Sequence, residues 1–296
     1  MTANENVLAS LYMMLSMLGF VLNDLLVKSL QGSLPISQVI WIRGAMLSLI
    51  LLGLIWHSGL LGQWRKALVP GLAFRAFFEG GATLLFLSAL IHLPFANITA
   101  ILQALPLVVT LGAALFLGEP VGWRRWLAIT VGLAGVVLII RPGMGGFHSA
   151  SILVAVSVLF AAARDLVTRR LPADVPSLLV TGFSAFAVMC LGMVITLFNS
   201  NWTAMTFHQT GTLAIAAFLL FFGYHFIILA MRTGEIAYVV PYRYTSLLWA
   251  IGLAYLFFNE VPDTLTLTGS AIVVAMGLYT LFRELRASRM AKSNNR

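Results

Sequence analysis

The chain repeats a set of residues at a constant offset of 141. Asp24 and Asp165, Pro35 and Pro176, Ser16 and Ser157, Ala96 and Ala237, and Glu119 and Glu260 all fall in this register, with no gap between the first match and the last. Lys28 and Arg169 also correspond, so the pattern Asp-x-x-x-(Lys/Arg) occurs once in each half. A period this long marks a duplicated unit rather than a solenoid, whose repeats run to roughly 20–50 residues. Whatever this chain folds into must be built by two similar bodies.

Composition sets the solvent for those bodies. Sixty per cent of the residues are hydrophobic and 9% are charged, against about 25% charged in soluble domains. Ten apolar stretches follow one another, at 7–30, 36–56, 68–91, 94–117, 123–141, 149–170, 177–198, 208–231, 235–258 and 264–284. Each is long enough to cross a hydrocarbon core of roughly 30 Å as a helix, and the connections are too short to hold a soluble domain. None shows the alternating ten-residue segments of a membrane barrel. The expectation is an all-α integral membrane protein of ten transmembrane helices, with the lipid bilayer as its main partner.

Charge placement gives an orientation. With both termini in the cytoplasm, the inside collects Arg65, Lys66, Arg124, Arg125, Arg169, Arg170, Arg232, Arg283, Arg286, Arg289, Lys292 and Arg296, and the outside only Lys28 and Arg141. That 12-to-2 imbalance follows the positive-inside rule. It accounts for most of the +8 net charge without nucleic acid. The setting expected is the cell's inner (plasma) membrane, multi-pass. Five helices per half is an odd number, so the second half crosses in the opposite sense. The result is two inverted five-helix repeats, residues 7–141 and 149–284, followed by a basic cytoplasmic tail, 285–296. Inverted repeats suit alternating access about a central site, although some channels are built this way too.

Other functions find little support in the residues. The first stretch lacks a basic n-region and a cleavage site, so it reads as a retained helix. Cys190 is the only cysteine, which excludes an intrachain disulfide. The five histidines have no metal-ligand spacing, and no Gly-rich phosphate loop is present to bind ATP. No nucleophile–base arrangement stands out. The chain reads as a non-enzyme without a cofactor or metal.

Ionisable residues deep in helices are the candidates for function, because each costs about 2.5–3.5 kcal/mol on insertion scales. Counted from the predicted helix starts, Arg43, Arg75 and Arg243 lie about 10–12 Å into the membrane, and Glu79 lies nearer the midplane. Arg164 is close enough to a helix end to snorkel outward. Asp24 with Lys28, and Asp165 with Arg169, are spaced for i,i+4 ion pairs that fix the fold in both halves. Arg43, Arg75, Glu79 and Arg243 instead correspond to Ser184, Ala216, Leu220 and Leu102. The fold does not need them twice. Arg75 and Glu79 are one turn apart and are placed either to neutralise each other or to meet substrate. Arg43 and Arg243 have no acid within a turn on their own helices, which predicts an electropositive interior for an anionic group.

Tyr238, Tyr242, Ser246 and Trp249 share one face of the ninth predicted helix, as cavity lining or as a packing seam. Pro241 inside that helix and Pro106 inside the fourth, its counterpart in the repeat, predict bends that gate or shape a cavity. Gln103, Tyr224 and His225 are further lining candidates. Gly132, Gly135, Gly269 and Gly277 suit close helix packing.

The segment "LPFANITAILQALPLVVTLGAALFLGEPVGWRRWLAITVGLAGVVLIIRP" resembles the end of an EamA domain of the drug/metabolite transporter superfamily. "AYVVPYRYTSLLWAIGLAYLFFNEVPDTLTLTGSAIVVAMGLY" resembles the same unit again. Gly118-Glu119 and Asn259-Glu260 are the most recognisable marks, with Asn where the family commonly has Gly. Both glutamates are expected to serve the helix that follows. The resemblance implies a ten-helix carrier with a central cavity lined mainly by its first, third, fourth, sixth, eighth and ninth helices. It is similar to the YddG-like amino-acid exporters, which implies export of amino acids, aromatic ones included. Carriers of S-adenosylmethionine or riboflavin, and a channel-like facilitator, are the alternatives.

Overall fold

A computed structural model of the chain describes residues 3–294 apart from 120, 144, 145 and 173. The side chains of the expected basic tail, from 285 on, lie outside the described residues. Within them the chain is helical, without a strand. The helices are α1 (Ala3–Ser29), α2 (Ile36–His57), α3 (Pro70–Leu90), α4 (Phe95–Leu102), α5 (Leu105–Phe116), α6 (Trp123–Ile140), α7 (Ala150–Arg169), α8 (Ser177–Phe198), α9 (Phe207–Thr233), α10 (Ile236–Val239), α11 (Thr245–Phe258) and α12 (Thr264–Asn294). Short 3-10 segments cover Leu60–Ala67 and Val240–Tyr244. Nine spans among the described residues are long and apolar enough to cross a membrane, α4 and α5 together forming one of them.

Local chemistry sets the boundaries, and the 141-residue offset reappears in them. Pro35 precedes α2 and Pro176 precedes α8, both extended, because a proline ring suits the entry to a helix and not its interior. α5 stops at a left-handed Gly118 (φ 68°) and α11 at a left-handed Asn259 (φ 53°). Asparagine is among the few residues that share glycine's tolerance of that region. Behind each, a backbone amide reaches back six residues, Glu119 N to Ala113 O (3.3 Å) and Glu260 N to Ala254 O (3.1 Å). This helix stop explains why Asn can replace Gly in the second motif.

Two predicted spans are interrupted. The fourth divides at Gln103–Ala104, and Pro106 sits in the first turn of α5. The ninth, expected as one helix over 235–258, is α10, a 3-10 segment begun around Pro241, and then α11. α11 alone has 14 residues, too few to span by itself. Each proline removes an amide donor where the helix restarts, so the break falls at or just before it.

The chain forms two compact units, each drawing on both sequence halves. One holds Leu22–His92 and Leu153–Phe222; the other holds Met1–Val21, Leu93–Ile152 and Gly223–Arg296. In the first, α2 packs on α8, its own copy at the 141-residue offset. The helices run antiparallel: Gly44 faces Met189, while Ser37, Ile40 and Trp41 face Gly192. A Cβ on Gly192 would stand 2.5 Å from the Trp41 amide nitrogen and 2.8 Å from Ser37 O, so two backbones meet there. An apolar cluster of Ile55, Leu72, Val175, Leu179 and Val180 closes one end. In the second unit α6 packs on α12, again a helix on its copy. Gly132 lies against Met276, Gly135 against Gly269 and Ile272, and Gly269 against Ile139, so this pair is antiparallel too. The packing glycines act as expected: small residues let helices approach where lipid supplies no hydrophobic drive.

Candidate functional site

Two charged clusters occur in the unit built on α2 and α8, one around each copy of the repeated aspartate. At the first, Arg43 of α2 is buried, 7% exposed. Its Nη1 donates to Asn23 Oδ1 (3.0 Å), and Asn23 Nδ2 donates to Asp24 Oδ1 (2.8 Å). Arg43 is also in electrostatic contact with Asp24. The expectation of an unmatched cation at Arg43 is therefore corrected, because its counter-charge comes from α1. Lys28, one turn beyond Asp24, is buried as well.

At the second copy the cluster spans α3, α7 and α8. Arg164 Nη1 donates to Glu79 Oε1 (3.1 Å), and Arg164 Nη2 lies 2.8 Å from Asp165 Oδ1. Arg164 thus turns inward to Glu79 and Asp165, not outward as the snorkelling expectation had it. Arg75 Nη2 lies 3.5 Å from Glu79 Oε2, the i,i+4 pair expected from sequence. Arg75 also donates through Nε to Thr168 Oγ1 (3.0 Å) and through Nη1 to Ser184 Oγ. Two guanidiniums and two carboxylates bring the formal charge of these four residues to zero. Arg169, the repeat counterpart of buried Lys28, is exposed.

The offset relates the clusters in an unexpected way. Asn23 corresponds to Arg164, and Arg43 corresponds to Ser184. Each aspartate has one arginine beside it, from the α2 position in the first copy and from the residue before the aspartate in the second, while Ser184 donates to Val180 O and accepts from Arg75. Asymmetry at Arg43 is thus compensated at Arg164. Arg75 and Glu79 have no such compensation, their counterparts being Ala216 and Leu220. Asn23, Thr168 and Ser184 were absent from the sequence-based candidates and Arg164 was set aside as able to snorkel; for Asn23 and Arg164 the visible signal was a polar residue beside each repeated aspartate.

The other unit carries the aromatic candidates. Gln103 Nε2 donates to Ser246 Oγ (2.7 Å), joining the α4–α5 break to the start of α11. Tyr242 packs on the apolar cluster of Ala9, Met13, Met17, Ala230 and Val239. Tyr224 meets Phe20 edge-on at 5.3 Å, and His225 meets Phe226 at 5.7 Å. Tyr238 and Trp249 are exposed at 57% and 38%. The expected stripe on one helical face is corrected: a 3-10 segment has three residues per turn, so the face is not continued across Tyr242. Arg243 lies in that segment, half-buried and in electrostatic contact with buried Tyr244. Tyr244 in turn faces Gly277, where any Cβ would collide with its hydroxyl.

Helix ends in this unit are held from a distance. Glu260 Oε2 accepts from the Phe95 amide (2.6 Å) and so caps α4, not the following helix as expected. Asp263 caps α12 by accepting from the Thr266 amide (2.8 Å) and pairs with Arg141. Burial pushes the Asp263 carboxyl up, but hydrogen bonds from Arg141 and Thr266 outweigh it and hold it below the usual carboxylate range.

A chain with nine apolar spans among its described residues, and with ion pairs within those spans, is a multi-pass membrane protein. The sequence model described as "EamA-like transporter family" matches residues 7–141 and 148–283. The chain belongs to that family. Relatives include the pseudopaline exporter of Pseudomonas aeruginosa, 26% identical over 86% of this chain and 89% of the relative. The S-adenosylmethionine uptake transporter of Rickettsia bellii is 25% identical over 93% and 94%, and the riboflavin transporter of Vibrio cholerae 26% over 90% and 89%. A solved crystal structure matches in fold with a TM-score of 0.67 at 16% identity, covering 93% of this chain and 97% of that one. These named relatives are small-metabolite transporters, in line with a non-enzyme; S-adenosylmethionine and riboflavin are the alternative cargoes weighed from the sequence, and pseudopaline was not among them.

Proposed function

We propose that this chain is a secondary carrier that moves a small organic metabolite by alternating access. Ten membrane crossings in two inverted five-helix repeats, 7–141 and 149–284, form the working unit, with the interrupted α10–α11 segment as the ninth crossing. The observation that carries this reading is the antiparallel packing of α2 on α8 and of α6 on α12. Two copies inserted in opposite senses bring equivalent helices together in that direction. The Lys/Arg imbalance supports cytoplasmic termini and an inner-membrane setting.

Amino acids, aromatic ones included, are the leading cargo, and export the leading direction. Arginine binds a carboxylate, and a neighbouring carboxylate binds an ammonium group. Both chemistries meet around Glu79. The candidate substrate contacts are Arg75 and Glu79 in this cluster and Gln103, Tyr224, His225, Tyr242 and Arg243 in the aromatic unit. Purified protein in liposomes loaded with phenylalanine, S-adenosylmethionine or riboflavin tests the assignment, with and without a pH gradient. Saturable counterflow of phenylalanine is expected. Counterflow restricted to either of the other two would reassign the cargo, and flux that neither saturates nor exchanges would indicate a channel.

A further inference from the structure

We infer that the cluster of Arg75, Glu79, Arg164 and Asp165 is a charge-neutral exchange site that admits cargo of zero net charge, a zwitterion above all. The inference rests on the carrier reading and specifies its substrate class.

The position comes first. Glu79 lies nine residues into α3, about 13 Å along the helix, and Arg164 lies five residues from the end of α7, about 7 Å. At this depth an unneutralised charge is costly. Yet the four side chains keep between 13% and 34% of their surface accessible. The protein's own side chains therefore do not fully cover the cluster.

The wiring then separates fixed groups from exchangeable ones. Arg164 keeps Asp165 as a second partner (2.8 Å), and Arg75 keeps Thr168 and Ser184. Both guanidiniums stay oriented when Glu79 leaves them. Glu79 is the shared group, and its bond to Arg75 is the longer, at 3.5 Å against 3.1 Å. An incoming carboxylate takes the place of Glu79 on Arg75, and the released Glu79 carboxylate receives the ammonium of the same molecule. Two cations and two anions become three and three, so the total stays at zero. A monoanion leaves one negative charge unmatched, and a monocation one positive. The site therefore discriminates by net charge. This revises the electropositive interior expected from sequence, which would have favoured any anion.

The test changes the charge of the cluster and reads the preference of the carrier. Counterflow of phenylalanine, glutamate and lysine is compared in liposomes, with thermal-shift binding of the same three in detergent. Wild type is expected to prefer phenylalanine. Glu79→Gln leaves the cluster at +1 and should prefer glutamate over phenylalanine by roughly 60- to 300-fold, the cost of one unmatched charge at this depth. Asp165→Asn creates the same charge by another route and guards against a folding defect in the first variant. Arg75→Gln leaves −1 and should favour lysine. The double variant Arg75→Gln, Glu79→Gln returns to zero and should restore the phenylalanine preference at lower affinity. Wild type that handles phenylalanine, with variants keeping its preference, overturns the exchange site and leaves the carrier standing. Wild type that neither binds nor moves any of the three overturns the exchange site and the amino-acid cargo, and the carrier reading is then decided by counterflow of S-adenosylmethionine or riboflavin.

Discussion

Replacing Arg43 by serine should destabilise the protein, and adding Asn23→Arg should restore most of the loss. Serine is the residue at the equivalent position of the second repeat, and arginine is the residue equivalent to Asn23. Arg43→Ser removes a guanidinium that donates to Asn23 and faces Asp24, leaving a carboxylate in the membrane interior without its main cation. Breaking a buried pair from one side costs about 3–5 kcal/mol. A loss near the lower figure, about 3 kcal/mol, is expected because Asn23 still donates to Asp24. In the double variant the guanidinium introduced by Asn23→Arg would address Asp24 as Arg164 addresses Asp165 at 2.8 Å. Recovery of at least half of the loss, about 1.5 kcal/mol, is expected. Asn23→Arg alone crowds two arginines onto one aspartate and should also destabilise. Thermal unfolding in one detergent, followed by tryptophan fluorescence and size-exclusion recovery, measures all four proteins as a cycle. A double variant no more stable than Arg43→Ser would refute the exchange of positions between repeats. So would an Arg43→Ser protein as stable as wild type.

Gly192→Ala should cost about 1–3 kcal/mol, because its Cβ would meet the Trp41 nitrogen and Ser37 O with no flexible side chain to yield. Gly53→Ala, on α2 with nothing within 4 Å, should be neutral or slightly stabilising in the same melts. Asp263 has a lowered folded-state pKa, so its pairing with Arg141 adds stability that is present above the unfolded value of about 3.8 and is lost as pH falls through the lower folded value. Asp263→Asn keeps a capping side chain; its deficit relative to wild type, measured as Tm against pH, should be constant above that window and vanish below it.

The sequence was most legible where a residue's effect is local. Pro35 and Pro176 mark helix starts, Gly118 and Asn259 mark stops, and apolar length marks spans, because each acts through its own backbone or through lipid. Reading a helical face across Pro241 failed for a related reason: Tyr238 and Tyr242 straddle a change in residues per turn that hydropathy does not register. Charges were harder, because their partners are set by packing. Arg43 looked unmatched since its counter-charge is on another helix, and Arg164 looked peripheral since Glu79 is 85 residues away in the chain. Treating disagreement between repeats as a sign of function overcounted Arg43, where the swap at Arg164 offsets the change, and retained Arg75 and Glu79, where nothing does. Glu260 was assigned to the nearest helix, whereas the amide it caps belongs to Phe95.

The pairing of α2 with α8, and of α6 with α12, bears on the order of assembly. Neither compact unit can close when the first half of the chain has left the ribosome, because each waits for a helix encoded about 141 residues later. Each early helix can enter the bilayer alone, with its backbone hydrogen bonds satisfied. The glycine faces of α2 and α6 then remain uncovered until their copies arrive. No identical face replaces them on the same helix, because the glycines that receive α2 and α6, Gly192 and Gly269, correspond to Leu51 and Ala128 in the first half. A first half expressed by itself is thus expected to insert without closing either unit, and synthesis of the remaining helices supplies the surfaces that α2 and α6 need.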